Sequence, residues 1–253
     1  MDFTLKKYKQ LLSSIKDNNY EFQTFEEFIQ SPKEKVVVLR HDSDIWTWTD
    51  LAMAELENSM DIRATYYFRM PETFNKEVIH KIKNLGHEIG YHYEDFARFN
   101  GNYEKAIENF QNNLFALRKL YPVKTVARHG RPLSKWESLD LWKKYSLNDF
   151  GIIAEPYLSV DYSCVLYLTD NGSKWNAGKD NIRDKVESGF EFNIKSTDAL
   201  IEHFNKGMLP NQVILNIHPA RWNDNFFIWT YRFFLQKTKN IAKAALNIIR
   251  GVK

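Results

Sequence analysis

The chain has one cysteine, Cys164, in 253 residues. A single thiol closes no internal disulfide, so nothing in the sequence asks for an oxidising compartment. Cys164 lies in the apolar run "SCVLYL" and is expected to be a buried thiol rather than a nucleophile. No apolar run approaches the ~18 residues of a transmembrane helix. The opening "MDFTLKKYKQLLSSIKDNN" has no apolar core followed by small residues, so no secretory signal is expected and a cytoplasmic location is. No GxGxxG, GxxxxGK[ST] or GxSxG occurs, so dinucleotide, P-loop and serine-hydrolase readings lack their loops. Acidic residues are missing from the C-terminal end. From Asn225 onward the chain carries Arg232, Lys237, Lys239, Lys243, Arg250 and Lys253, and no Asp or Glu. Those six cations exceed the whole net charge of +3, so the body before them is net acidic. It offers no basic stripe, and no nucleic-acid partner is expected.

Short apolar strands alternate with helical spacing along the rest of the chain. Leu5, Tyr8, Leu11, Leu12 and Ile15 follow the helical period. Thr24 and Glu27 form a capping-box pattern before "FEEFIQ". The predicted strands are "KVVVLRHD", "RATYYFRM", "HEIGYHYE", "KTVARHG", "FGIIAEPYL", "SCVLYLTD" and "NQVILNIHP". Between them "TDLAMAELENSM", "NKEVIHKIKNLG", "NYEKAIENFQNNLFALRKLY", "SKWESLDLWKKY" and "STDALIEHFNKG" read as helices. The fourth of these has Ser134 as its expected N-cap, with Glu137 completing the box. This alternation argues for an α/β fold around a parallel sheet, as a barrel or a doubly wound sheet. One domain, 1–253, is expected, with N-terminal helices over 1–30, the core over 36–222 and a basic amphipathic helix over 223–253. The polar insertion "TDNGSKWNAGKDNIRDKVESG" is expected to be a loop over the site or a solvated loop. The aromatic and basic tail either packs on the domain or makes a peripheral contact with an anionic membrane.

The polar residues gather at strand ends. The first strand ends in Arg40, His41, Asp42 and Asp44, the third in His92, Glu94 and Asp95, and the fourth in Arg128, His129 and Arg131. The sixth ends in Asp170 and the last in Asn216, His218 and Arg221. Four of the seven histidines lie at such ends. In a parallel α/β fold these ends converge on one face. Two or three imidazoles with a carboxylate suit zinc or a similar divalent ion. Further carboxylates and a histidine could serve as general base and general acid. Asp42 and Asp44 share a face of a regular strand, whereas His41 alternates away and is expected in the wall. His87 is expected to be structural, and His80 and His203 solvated on helices.

"VVLRHDSD", "GHEIGYHYED", "ARHGRPLSKW" and "VILNIHP" together resemble the polysaccharide deacetylase superfamily, over roughly Val36 to Trp222. "GHEIGYH" is the most specific piece. The resemblance implies a distorted (β/α) barrel of the NodB type. It also implies a divalent-metal-dependent removal of N-acyl groups from amino sugars. The metal would be zinc, with nickel, cobalt or manganese as alternatives. "YLTDNGSKWNAGKDNIRDKV" and "HGRPLSKW" are similar to a divergent branch from bacterial surface-polysaccharide and O-antigen gene clusters. Its substrate would be an amino sugar or a nucleotide- or lipid-linked sugar; the oligomeric state is not implied.

The family's first motif, Thr-Phe-Asp-Asp-Gly, puts Asp42 at the base position and Asp44 one residue beyond the ligand position. His92 matches the first metal histidine. The second is expected four residues later, where this chain has Phe96. Glu94, Asp95 or His129 would then complete the ligand set, and His129 is the favoured one. Arg128 or Arg131 would stand for the arginine near the base, and His218 would protonate the leaving amine. Arg131, Asp170, Trp175 and Arg221 are the expected substrate contacts, Trp175 as a sugar platform. Hydrolysis of another C–N bond such as a cyclic amide, or sugar binding without catalysis, are the alternatives.

Overall fold

The computed structural model of the chain describes residues 1–131, 134–171, 174–175, 186–231 and 238. Helix α1 (Leu5–Asp17) starts at Thr4, whose hydroxyl accepts from the Lys7 N–H, and buries Tyr8, Leu11, Leu12 and Ile15. Strand β1 (Glu21–Gln23) leads into α2 (Phe25–Gln30), where Thr24 and Glu27 close the capping box. Then come β2 (Val36–Ser43), α3 (Thr47–Asn58), β3 (Thr65–Phe68) and α4 (Lys76–Asn84). Next are β4 (Glu88–Tyr93), the single turn α5 (Asp95–Arg98), α6 (Tyr103–Arg118) and β5 (Val126–Arg128). The chain continues through α7 (Pro156–Ser159), β6 (Leu166–Thr169), α8 (Thr197–Asn205) and β7 (Gln212–Ile217).

The strands pair in parallel in the order β5-β4-β3-β2-β7-β6. Strand β2 is longer than its neighbours and shares one edge between two of them. β1 pairs with Val36–Val38, and β3 takes over at Arg40–Ser43. Every residue of β2 is buried, as expected of a central parallel strand covered on both faces.

Alternation along the strands sorts the apolar residues into two cores. Val37, Leu39, Tyr66, Phe68, Ile89, Tyr91, Leu168 and Leu215 pack against the helices. Val36, Val38, Tyr67, Ala127, Tyr167 and Ile214 pack together on the other face. Ala127 lies on β5 and Tyr167 on β6, the two opposite edges of the sheet. Edge strands can share a core only if the sheet curls, so the sheet forms a distorted (β/α) barrel. Among the described residues no ladder joins β5 to β6. The gap is spanned instead by Tyr157 and Tyr167, whose hydroxyls lie 3.2 Å apart. Phe25 and Phe28 of α2 plug the end of the inner core where the strands begin. Each fully buried side chain of this size contributes about 1.5–3 kcal/mol. The Phe25 N–H donates to Thr65 and the Glu26 N–H to Glu88, which fixes the plug to the strands.

Two predicted elements differ. "SKWESLDLWKKY" is not an α-helix; it holds only a 3-10 turn at Ser138–Lys143. Ser134 accepts from the Trp136 N–H at 3.0 Å, and Glu137 pairs with Arg128 at 2.7 Å instead of turning back to close a box. A tertiary ion pair has taken the capping residue. "FGIIAEPYL" is reduced to one bridge, Ala154 to Thr125, followed by α7. Pro156 has no N–H to continue a ladder. Most of the insertion after Asn171 and most of the C-terminal helix expected over 223–253 lie outside the described residues. Among the described residues no helix is long and apolar enough to cross a membrane.

Candidate metal centre at the strand ends

The inner face of the barrel has a period of two, and the period continues past the apolar residues into polar ones. On β2 it runs Val36, Val38, Arg40, Asp42 and on to Asp44; on β4 it runs Glu88, Gly90, His92. On β5 Ala127 is followed two residues later by His129, and on β7 Ile214 by Asn216 and His218. The pleat therefore delivers side chains from separate strands to one mouth.

Asp44, His92 and His129 meet there. One ligand atom from each lies within 4.8 Å of the others. Asp44 Oδ1 is 3.7 Å from His92 Nε2 and 3.5 Å from His129 Nε2. That oxygen is buried and accepts no hydrogen bond, an expensive state for a carboxylate oxygen unless a cation completes it. The Asp44 carboxyl is held below its ordinary value. Burial opposes its charge, but His129, His218 and His92 outweigh it. His92 is buried, and its pKa is pushed well down by burial and by His129 beside it. A neutral imidazole with a free lone pair is the ligand form. The His92 Nδ1–H donates to the Ala127 carbonyl at 3.0 Å, which turns Nε2 toward Asp44. His129 is set the same way by a carboxylate, with Nδ1 2.6 Å from Glu94 Oε2. Two imidazoles and a carboxylate, each ring fixed through its far nitrogen, fit a zinc-type ion.

Asp42 lies beside this group, its Oδ2 3.7 Å from His92 Nε2. Both of its oxygens accept from Arg40, from Nε at 2.9 Å and from Nη2 at 2.8 Å. Arg40 is fully buried, with its guanidinium 5.1 Å from the Tyr157 ring and 5.7 Å from the Tyr67 ring. The arginine on Asp42 is therefore neither Arg128 nor Arg131. Arg128 sits over the Tyr157 ring at 4.2 Å and pairs with Glu137. Arg131 is half-exposed and 3.9 Å from Glu94.

His218 holds Asp170 through both its backbone N–H, at 3.0 Å, and Nδ1, at 2.7 Å. Asp170 also accepts from Arg221 Nη1 at 2.7 Å and from Trp222 Nε1 at 2.9 Å. Burial works against the Asp170 charge, yet Arg221 and His218 hold the carboxyl down to about 2. Asp170 and Arg221 thus orient His218, and Asp170, fully buried, is not a substrate contact. Nor is Trp175 a sugar platform. It is fully buried, donates to Thr197 at 3.1 Å and packs on Trp222, so its ring offers no face to a sugar. Asp95 turns away to accept from Tyr91 and Asn109, and burial pushes its carboxyl up to about 6. Glu94 likewise spends its oxygens on His129, Arg69 at 3.0 Å and Arg98 at 2.5 Å. Its carboxyl is held well below the ordinary range, because His129 and Arg69 outweigh burial.

Of the remaining histidines, His41 faces outward and binds Glu57 at 2.7 Å. His87 bridges the Ala64 N–H and the Ala54 carbonyl. Arg69 and Arg98 were not singled out from the sequence. Arg98 stands four residues after Glu94 on one helical turn, a spacing that points to the pair.

No family model matches the chain, and no curated protein matches it. Solved structures do align with it. A family 4 carbohydrate esterase from Bacillus anthracis is 14% identical over 92% of this chain and 86% of its own, with a TM-score of 0.43. A Streptococcus mutans CE4 esterase is 14% identical over 90% of this chain and 87% of its own, with a TM-score of 0.48. The peptidoglycan deacetylase PdaC from Bacillus subtilis, in a mutant form, is 12% identical over 88% of this chain and 100% of its own, with a TM-score of 0.38.

Proposed function

We propose that the chain is a divalent-metal-dependent hydrolase that removes an N-acyl group, N-acetyl in the first instance, from an amino sugar in cytoplasmic steps of surface-polysaccharide assembly. The observation that carries this reading is the convergence of Asp44, His92 and His129 beside Asp42, at the end of the barrel where His218 also lies. The carbohydrate part rests on the resemblance of "GHEIGYH" and its companion motifs to the NodB-type deacetylases.

Asp44, His92 and His129 would hold the ion. A bound zinc or related ion supplies Lewis acidity at this point. Asp42 is the group placed to take a proton from an attacking water. Its bidentate pair with Arg40 fixes the plane of the carboxylate. His218 presents Nε2, because Nδ1 is engaged by Asp170, and a proton on Nε2 is the one delivered to the departing nitrogen. Asp170, buried and held by Arg221 and Trp222, fixes the orientation of that ring. Tyr67 and Tyr157 pack on the Arg40 guanidinium.

The test is metal content of the purified chain, wild type beside His92→Ala. A zinc-type site binds about one ion per chain in the wild type and loses it in the variant. Asp42→Asn should keep the ion and lose turnover by about a hundredfold or more, the scale of a general base. Full activity with metal retained would remove Asp42 from the base role. The Arg40–Asp42 pair favours a second reading, a sugar-binding module whose strand-end charges neutralise one another. No metal in either protein after incubation with zinc, nickel, cobalt and manganese would establish that reading instead. A substrate panel separates N-acyl sugars from cyclic amides.

A further inference from the structure

We infer that the recess beside His129 is an oxyanion subsite, and that the amino sugar acted on carries a phosphate or pyrophosphate ester. This deepens the hydrolase reading and rests on it for the position of the acyl group.

A cavity of about 770 Å³ opens next to the candidate metal centre, with His129 in its wall. That is the size of a site that encloses a whole small ligand, not one acetyl group. Arg69, Arg98, Arg131 and Lys135 line it, and Glu94 is the one carboxylate among the described lining residues. Glu72 stands behind, paired with Arg98 and 3.9 Å from Arg69. Four cations thus face two carboxylates, and Glu94 is shared with His129 as well. The surplus is positive although the body of the chain is net acidic. The recess therefore departs from the bulk charge instead of following it.

The donors are only partly used. Arg69 reaches Glu94 through Nη2 and the Asp44 carbonyl through Nη1 and brings its charge to the recess, its Nε being buried out of a ligand's reach. Arg131 approaches Glu94 no closer than 3.9 Å and is 42% exposed, so its guanidinium fork is available to a ligand. Lys135 lies 5.1 Å over the Trp136 ring, at the edge of the recess. Planar forks with spare N–H groups match phosphate oxygens two at a time. A surplus of two positive charges suits a phosphate ester better than a neutral glycan, whose hydroxyls accept hydrogen bonds but bring no compensating charge. Trp136 gives the recess an apolar wall for a ring.

The test measures binding rather than turnover, on the full chain in chelator so that pyrophosphate meets no metal. Calorimetry would compare inorganic pyrophosphate, N-acetylglucosamine, its 1-phosphate, its uridine diphosphate ester and a short-chain prenyl diphosphate ester. Phosphorylated probes should bind about tenfold or more tightly than the plain sugar, the scale of charge-assisted hydrogen bonds, and the advantage should shrink with salt. It should disappear in Arg131→Gln/Lys135→Gln, with melting temperature and zinc content unchanged. An extra gain for the uridine ester would support a nucleotide-linked source, and one for the prenyl ester a lipid-linked source. If neither pyrophosphate nor any phosphorylated sugar binds better than the plain sugar, or if the advantage survives in the double variant, the subsite is refuted. Failure of the hydrolase reading looks different, because phosphate binding would persist in a chain that holds no metal.

Discussion

Glu94 touches the candidate metal centre directly at His129. Its Oε2 fixes the His129 Nδ1–H, and its charge is itself fixed by Arg69 and Arg98. Replacing such an outer carboxylate typically costs 10–100-fold in metal affinity. Glu94→Gln should therefore weaken zinc binding by roughly that factor in a chelator competition, with the ion still bound at saturation. An unchanged dissociation constant would mean that His129 does not ligate. Asp170 gives a pH-dependent counterpart. Its folded carboxyl, at about 2, lies below the ordinary 3.8, so the unfolded chain takes up the proton first. Ionised Asp170 then contributes its full stabilisation above about pH 4, and the contribution is lost as pH falls toward 2. The difference between those two values corresponds to about 2 kcal/mol. Urea unfolding of wild type and Asp170→Asn should show a gap at pH 6 that closes by pH 2. A gap independent of pH would show that packing, not charge, is what Asp170 supplies.

At the scale of elements, β4 must present nothing larger than glycine at position 90. A Cβ there would run into the Tyr67 ring and come within 3.1 Å of the Thr125 carbonyl. The Tyr67 ring in turn backs Arg40, whose fork holds Asp42. Gly90→Ala should lower the melting temperature by about 2–10 °C, the cost of overpacking in a chain of this size. It should also reduce turnover beyond the loss of folded protein, by displacing Arg40. A variant that is destabilised but fully active per folded molecule would separate the Tyr67 ring from the site. The strands were legible because each ends an apolar run with charged residues. The period of two puts Asp42 and Asp44 on one face of their strand, and the convergence of parallel strand ends gathers His92, His129 and His218 near them. Partners that depend on side-chain reach were not legible. Nothing local says that Glu137 leaves a capping position for Arg128, or that Trp175 inserts against Trp222. Those outcomes are decided by tertiary neighbours, and a polar loop around a tryptophan looks the same whether the ring is buried or exposed.

For the molecule as a whole, the three candidate ligands come from the ends of three strands, β2, β4 and β5. They are far apart in sequence and meet only because the sheet curls. Asp42 and Asp44 lie on a central strand, whereas His129 follows an edge strand with few partners beyond β4. The unfolded chain holds no such triad, so an ion that binds it must favour the folded barrel. At free metal a hundredfold above its dissociation constant, the gain is about 3 kcal/mol. For a chain of about this length that raises the melting temperature by roughly 5–10 °C. Zinc should therefore stabilise the wild type by this amount and leave His92→Ala where it was. Because β5 closes the triad, hydrogen exchange in Val126–Arg128 should slow on zinc binding by more than in β7, which contributes no ligand. Equal stabilisation of wild type and His92→Ala would place the zinc elsewhere on the protein, and protection confined to β7 would shift the site toward His218.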